Sequence, residues 1–110
     1  MDSVFTREQK EAKFPGGELG WRRYLEKTLN PGIPVINGAP SGTYLVIVKF
    51  IVGKDGSISG VAAETRHGFG MEQEAVRIIE KGPSWEPASQ YGRKVKAYRK
   101  QPITFIVEGN

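Results

Sequence analysis

His67, the only histidine, and the nearby Glu64, Glu72 and Glu74 have the widest chemical repertoire in this chain, but their spacing gives them no joint task. A metal site needs converging ligands, and neither an H-E-x-x-H spacing nor any cysteine is present to supply them. The absence of cysteine also removes disulfides and thiolate chemistry. No serine sits in the G-x-S-x-G elbow of a hydrolase nucleophile. Gly68-Phe69-Gly70 resembles the start of a phosphate cradle, but the third glycine of G-x-G-x-x-G is missing and Glu72 and Glu74 would repel an anion. These glycines read as punctuation before a helix, and Trp21 and Trp85, at core-like spacings, read as packing residues. The sequence therefore predicts no enzyme, no metal and no cofactor.

What remains is the chemistry of the backbone itself. The C-terminal quarter runs Ser84-Trp85-Glu86-Pro87-Ala88, then Gly92-Arg93-Lys94-Val95, then Gln101-Pro102-Ile103-Thr104-Phe105-Ile106-Val107. Proline cannot donate to a β-ladder, so a strand carrying Pro102 in its middle belongs at the rim of a sheet. A rim can accept a foreign extended peptide as a further strand. Arg93, Lys94, Lys96, Arg99 and Lys100 place five positive charges on the same stretch of a chain whose net charge is only +4. Such a run can steer an acidic partner, or bind nucleic acid with Tyr91 and Tyr98 as stacking platforms. Charge on an edge strand also discourages self-association, a role that needs no partner. That reading is preferred, and no nucleic-acid partner is expected.

The elements that must position this rim follow from hydrophobic period. Residues 18–30 place Trp21, Leu25, Thr28 and Leu29 at helical spacing, with Glu18 in the first turn, Lys27 near the last, and Pro31 closing the helix. Residues 31–42, with three prolines and three glycines, read as a loop. From 43 to 52 the alternation is strict. Tyr44, Val46, Val48, Phe50 and Val52 point one way, while Leu45, Ile47 and Ile51 leave the other face apolar too. A strand apolar on both faces belongs in the middle of a sheet, or under a helix or second subunit. Lys54-Asp55-Gly56 predicts a hairpin into a strand over 57–65, with Ile58, Gly60 and Ala62 turned inward. Residues 71–81 form a second helix with Met71, Ala75, Ile78 and Ile79 as its buried stripe, and 95–107 form the last strand. The expected fold is α+β: a three-stranded antiparallel sheet with two helices packed on it, over 14–110, preceded by a loosely held arm over 1–13.

No apolar run approaches the roughly 20 residues of a membrane span, and Met1-Asp2-Ser3 lacks the basic start and apolar stretch of a signal peptide. Taken as written, the chain reads as cytoplasmic or as a soluble piece of something larger.

A family resemblance joins these features. Gly42-Thr43-Tyr44, the Val46-x-Val48-x-Phe50-x-Val52 alternation, Lys54-Asp55-Gly56-x-Ile58, Gly68-Phe69-Gly70-Met71-Glu72-x-Glu74-Ala75, Trp85-x-Pro87-Ala88, Gly92 and Pro102-Ile103-x-Phe105 follow in order. Together, over about 14–108, they resemble the C-terminal domain of TonB-type energy transducers, and Phe14-Pro15-Gly16-Gly17 is similar to the variant common in Bacteroidetes-type bacteria. The resemblance implies a periplasmic domain whose full-length parent is anchored in the inner membrane. It implies binding of the TonB box of outer-membrane receptors by β-strand addition to drive active transport, with the work supplied by an inner-membrane, proton-driven partner complex reached through a preceding segment. The docking strand maps to Arg99, Lys100, Gln101, Pro102, Ile103, Thr104, Phe105, Ile106 and Val107, with Arg99 and Lys100 selecting acidic or polar neighbours. Many relatives carry a Tyr-Pro and a short helix before the first long strand, whereas Asn30-Pro31 and the loop after it show no helical pattern. The alternative reading is a structural or sensory interaction domain of a membrane-bound peptidase-like sensor, in which the same edge pairs with a second copy as a homodimer.

Overall fold

The computed structural model describes residues 9–109. In chain order the elements are β1 (Gln9–Lys10), α1 (Gly17–Thr28), α2 (Ile33–Ile36), β2 (Gly42–Val52), β3 (Ile58–Ala63), α3 (Met71–Lys81), β4 (Ala88–Gln90), β5 (Arg93–Val95) and β6 (Ala97–Val107). The principal sheet is antiparallel in the order β3-β2-β6, so the doubly apolar β2 takes the centre and β6 an edge. Val46, Val48, Phe50 and Val52 of β2 meet Ile103 and Phe105 of β6 and the Met71, Ala75, Ile78, Ile79 stripe of α3 in one buried core. The expected α+β architecture is the observed one. The opposite face of the sheet leaves Leu45, Tyr98 and Ile106 exposed.

The helices are locked to each other by polar contacts at their ends. The Tyr24 hydroxyl of α1 donates to the Ile78 carbonyl at 2.7 Å. Glu74, buried on α3, accepts from Arg77 Nη2 at 2.7 Å and from the Asn30 amide at 2.9 Å, while Arg77 also donates to the Thr28 carbonyl at 3.1 Å. The Arg77 hydrogen bonds hold the Glu74 carboxyl below the usual range against the opposing effect of burial, with the Asn30 amide assisting.

Four details differ from the sequence reading. Residues 31–42 are not all loop: a four-residue helix, α2, forms around the buried Pro34, because proline in a first turn sacrifices no hydrogen bond. Strand β3 is shorter than 57–65, and its inward residues are Ile58, Val61 and Ala63, with Gly60 and Ala62 exposed. The register slips between Lys49 and Ile51, and Gly60, at φ 60°, supplies the left-handed residue of a bulge that reverses the facing of all that follows. The last strand begins at Ala97. Residues 93–95 belong instead to a second small sheet, β1-β4-β5, whose two-residue turn at Tyr91-Gly92 has positive φ at both positions. Of the stretch read as an arm, residues 1–8 lie outside the described residues. Gln9 and Lys10 pair with β4, Lys13 bridges to Glu86, and Ala12 is buried.

Candidate functional site: the open flank of the last strand

The β2–β6 register runs without a break from Gly42 opposite Val107 to Val52 opposite Ala97, so one parity holds along the whole strand. Its sense is fixed at Ile47, the partner of Pro102. The Ile47 carbonyl accepts from the Glu64 amide at 2.8 Å and its N–H points to Thr65 Oγ1 at 3.4 Å, both on the side away from β6. The Leu45 carbonyl likewise meets His67 Nε2 at 2.8 Å on that side. Ile47–Pro102 is therefore a non-hydrogen-bonded pair, and Pro102 stands where β2 asks for no donor. On β6 the main-chain groups of Lys100, Thr104 and Ile106, and the Pro102 carbonyl, face outward. No strand among the described residues pairs with that flank.

This parity divides the nine residues assigned to the docking strand into two sets. Lys100, Pro102, Thr104 and Ile106 turn their backbones to the open flank and their side chains to the exposed sheet face. Ile103, Phe105 and Val107 spend their backbones on β2 and their side chains on the core. Arg99 and Gln101 share that second orientation, opposite the buried Phe50 and Val48, but their own side chains are part-exposed. Gln101 Nε2 donates to the Pro102 carbonyl at 3.3 Å, partly covering the middle of the rim.

Neither basic residue assigned to the strand stands free. Lys100 Nζ crosses the sheet to Glu64 Oε1 at 3.1 Å. Arg99 Nη1 donates to Glu11 Oε1 at 2.8 Å, its guanidinium carbon lies 5.7 Å from the centre of a Trp85 ring, and its Nε is buried without a hydrogen-bond partner among the described residues.

Beside Arg99 the helix side of the flank opens into a cleft of about 180 Å³ between the first turn of α1 and β6. Its aromatic lining is Phe14, Trp21 and Trp85, rings that pack on one another at centroid distances of 5.3 to 5.9 Å. Trp85 is held by the hairpin: its amide donates to the Gly56 carbonyl at 2.9 Å. By their spacing alone the two tryptophans read as packing residues. Their second role, as a wall beside the rim, could be found only by knowing that the α1 start folds against β6.

A larger hollow of about 410 Å³ lies over the connection into α3, well away from the rim. Its carboxylate, Glu72, is engaged by the His67 and Gly68 amides at 2.8 and 3.0 Å and by Thr65 Oγ1 at 3.1 Å. Burial opposes the charge, but these bonds prevail and hold the carboxyl below its ordinary value. Glu72 thus fastens the loop that carries His67. No group of three or more metal-ligating side chains converges among the described residues. No helix among them is long and apolar enough to cross a membrane.

Comparison with known proteins adds one finding. The family described as Gram-negative bacterial TonB protein C-terminal matches residues 44–107, more than half of the chain and all of the principal sheet from Tyr44 onward. The Phe14-Pro15-Gly16-Gly17 segment lies outside the matched residues. No curated protein and no solved structure matches the chain.

Proposed function

The chain belongs to the Gram-negative bacterial TonB protein C-terminal family, and from that premise we propose that it is the periplasmic, receptor-binding domain of a TonB-type energy transducer. This family is one of protein-interaction domains, not of enzymes. The TonB box of an outer-membrane receptor docks as an added strand along the outward groups of Lys100, Pro102, Thr104 and Ile106. An inner-membrane, proton-driven complex then pulls on the domain through a segment preceding it.

The observation that carries this reading is the pairing of Pro102 with Ile47, which turns the outer donors and acceptors of β6 to a flank that no strand among the described residues occupies. Backbone pairing tolerates varied peptide sequences, because main-chain groups supply affinity and side chains only preference. Each ladder bond is worth only about 0.5–1.5 kcal/mol net. Several loaded side by side share a pull that one side-chain contact could not bear.

The test is a blocked heptapeptide of alternating Thr and Val, titrated calorimetrically in three forms: unmodified, N-methylated at one alternate set of residues, and N-methylated at every residue. The half-methylated peptide keeps one edge of donors for β6 and is expected to bind, whereas the fully methylated peptide keeps none and is expected not to. Equal binding of all three forms would rule out strand addition.

A further inference from the structure

The contact between Arg99 and Glu11 is lopsided. The Arg99 side chain is 27% exposed and lies beside the Trp85 ring, whereas the Glu11 side chain is 87% exposed. Glu11 makes no other hydrogen bond among the described residues. A carboxylate so fully solvated gains little from its partner, since exposed ion pairs are worth about 0–1 kcal/mol. The guanidinium, in contrast, is part-buried beside the Trp85 ring, and Glu11 is its one hydrogen-bond partner among the described residues. Arg99 lines the cleft beside the open flank together with Gln101, Lys13 and Glu18.

Strand parity determines what arrives there. On neighbouring strands, directly paired residues project to the same face of the sheet. A segment added outside β6 therefore directs the side chain opposite Arg99 or Gln101 to the helix side, into this cleft. A planar guanidinium with donors to spare matches a carboxylate in charge and in fork geometry.

We infer that Arg99 reads an acidic side chain on the docking segment, and that Glu11 occupies that carboxylate's place until the segment arrives. Arg99 is then the specificity-determining residue of the rim and Glu11 an internal competitor, an inference that rests on the strand-addition reading above. Lys100, although it is the next residue, has no part in this selection because its side chain lies on the opposite face, tied to Glu64.

The probes are the same Thr/Val heptapeptide carrying Glu at its first or last residue, each compared with its Gln counterpart at low salt. One Glu peptide is expected to bind at least about fivefold more tightly than its Gln partner, the scale of a charge-assisted hydrogen bond. Arg99→Gln is expected to abolish that preference. Glu11→Gln, at a solvated position that leaves folding intact, is expected to tighten the Glu peptide about two- to threefold and leave the Gln peptide unchanged, as removal of a weak competitor requires. Equal binding of Glu and Gln peptides would overturn the inference while leaving strand addition in place. A Glu peptide indifferent to Glu11→Gln would overturn the competitor role. Binding of neither peptide would remove the underlying reading and the inference with it.

Discussion

Lys49 and Lys100 are directly opposed across β2 and β6, yet their charges are carried apart. Lys49 Nζ lies 4.8 Å from the centre of the Tyr98 ring, and Lys100 Nζ reaches Glu64 Oε1 at 3.1 Å. Like charges facing each other in a sheet are destabilising, so each lysine has been given its own outlet on the exposed face. Both outlets are solvated, which limits their worth. Lys100→Met is expected to shift unfolding stability by less than about 0.5 kcal/mol and peptide affinity by less than about twofold, measured by urea denaturation and calorimetry.

Pro102 gives a sharper test of the rim. Because Ile47 directs both main-chain groups away from it, Pro102→Val removes no ladder bond and adds an outward donor. Stability should change by less than about 1 kcal/mol, as for a tolerated surface substitution. Peptide affinity should rise, and concentration-dependent self-association should appear in sedimentation, because an unbroken row of edge donors invites pairing. A large loss of stability would mean that the parity assigned to β6 is wrong.

Glu74 makes acid sensitivity specific. Its carboxyl titrates below the ordinary value, chiefly through Arg77, so the folded state binds that proton less readily than the unfolded chain. The stability it contributes is complete above the unfolded glutamate pKa of about 4.3 and is lost as pH falls through the lower folded value. Glu74→Gln should therefore flatten the loss of stability below about pH 5 relative to the parent chain. Glu72 and Asp55 titrate low as well, so the difference between variant and parent carries the test, not the parent curve alone. At neutral pH, Glu74→Ala should cost about 1–3 kcal/mol, since it leaves the Asn30 amide without its acceptor, while the part-exposed Arg77 keeps the Thr28 carbonyl and water.

Gly56 ties the hairpin to the cleft. A Cβ there would stand 2.3 Å from the Trp85 carbonyl, and its φ of 87° disfavours any side chain. Gly56→Ala should cost about 2 kcal/mol or more and alter tryptophan fluorescence, because the displaced backbone carries the ring against which Arg99 is set.

Much of this arrangement was legible in the residues. The two-sided apolarity of β2 called for the sheet centre or a covered back, and the centre is where it lies; the proline in β6 called for the edge. The 3.6-residue stripes of α1 and α3 gave both helices. What escaped reading depended on contacts distant in sequence. Gly60 looked like an ordinary inward position because a bulge cannot be counted from one strand alone. Pro34 looked like a breaker because its burial in a single turn is invisible locally. The pairing of Gln9 and Lys10 with β4 joins segments some eighty residues apart, and no periodicity announces it. Arg99 and Lys100 looked equally free to choose a partner, but adjacent residues on a strand face opposite ways, and their carboxylates, Glu11 and Glu64, lie far off in the chain.

Amide hydrogen exchange along β6, followed by NMR with and without the Thr/Val heptapeptide, tests the open flank most directly. In the free domain, Ile103, Phe105 and Val107 should be protected by β2 while Lys100, Thr104 and Ile106 exchange quickly, and saturating peptide should slow those three selectively. Protection of Thr104 and Ile106 in the free domain, or fast exchange unchanged by peptide, would contradict the account.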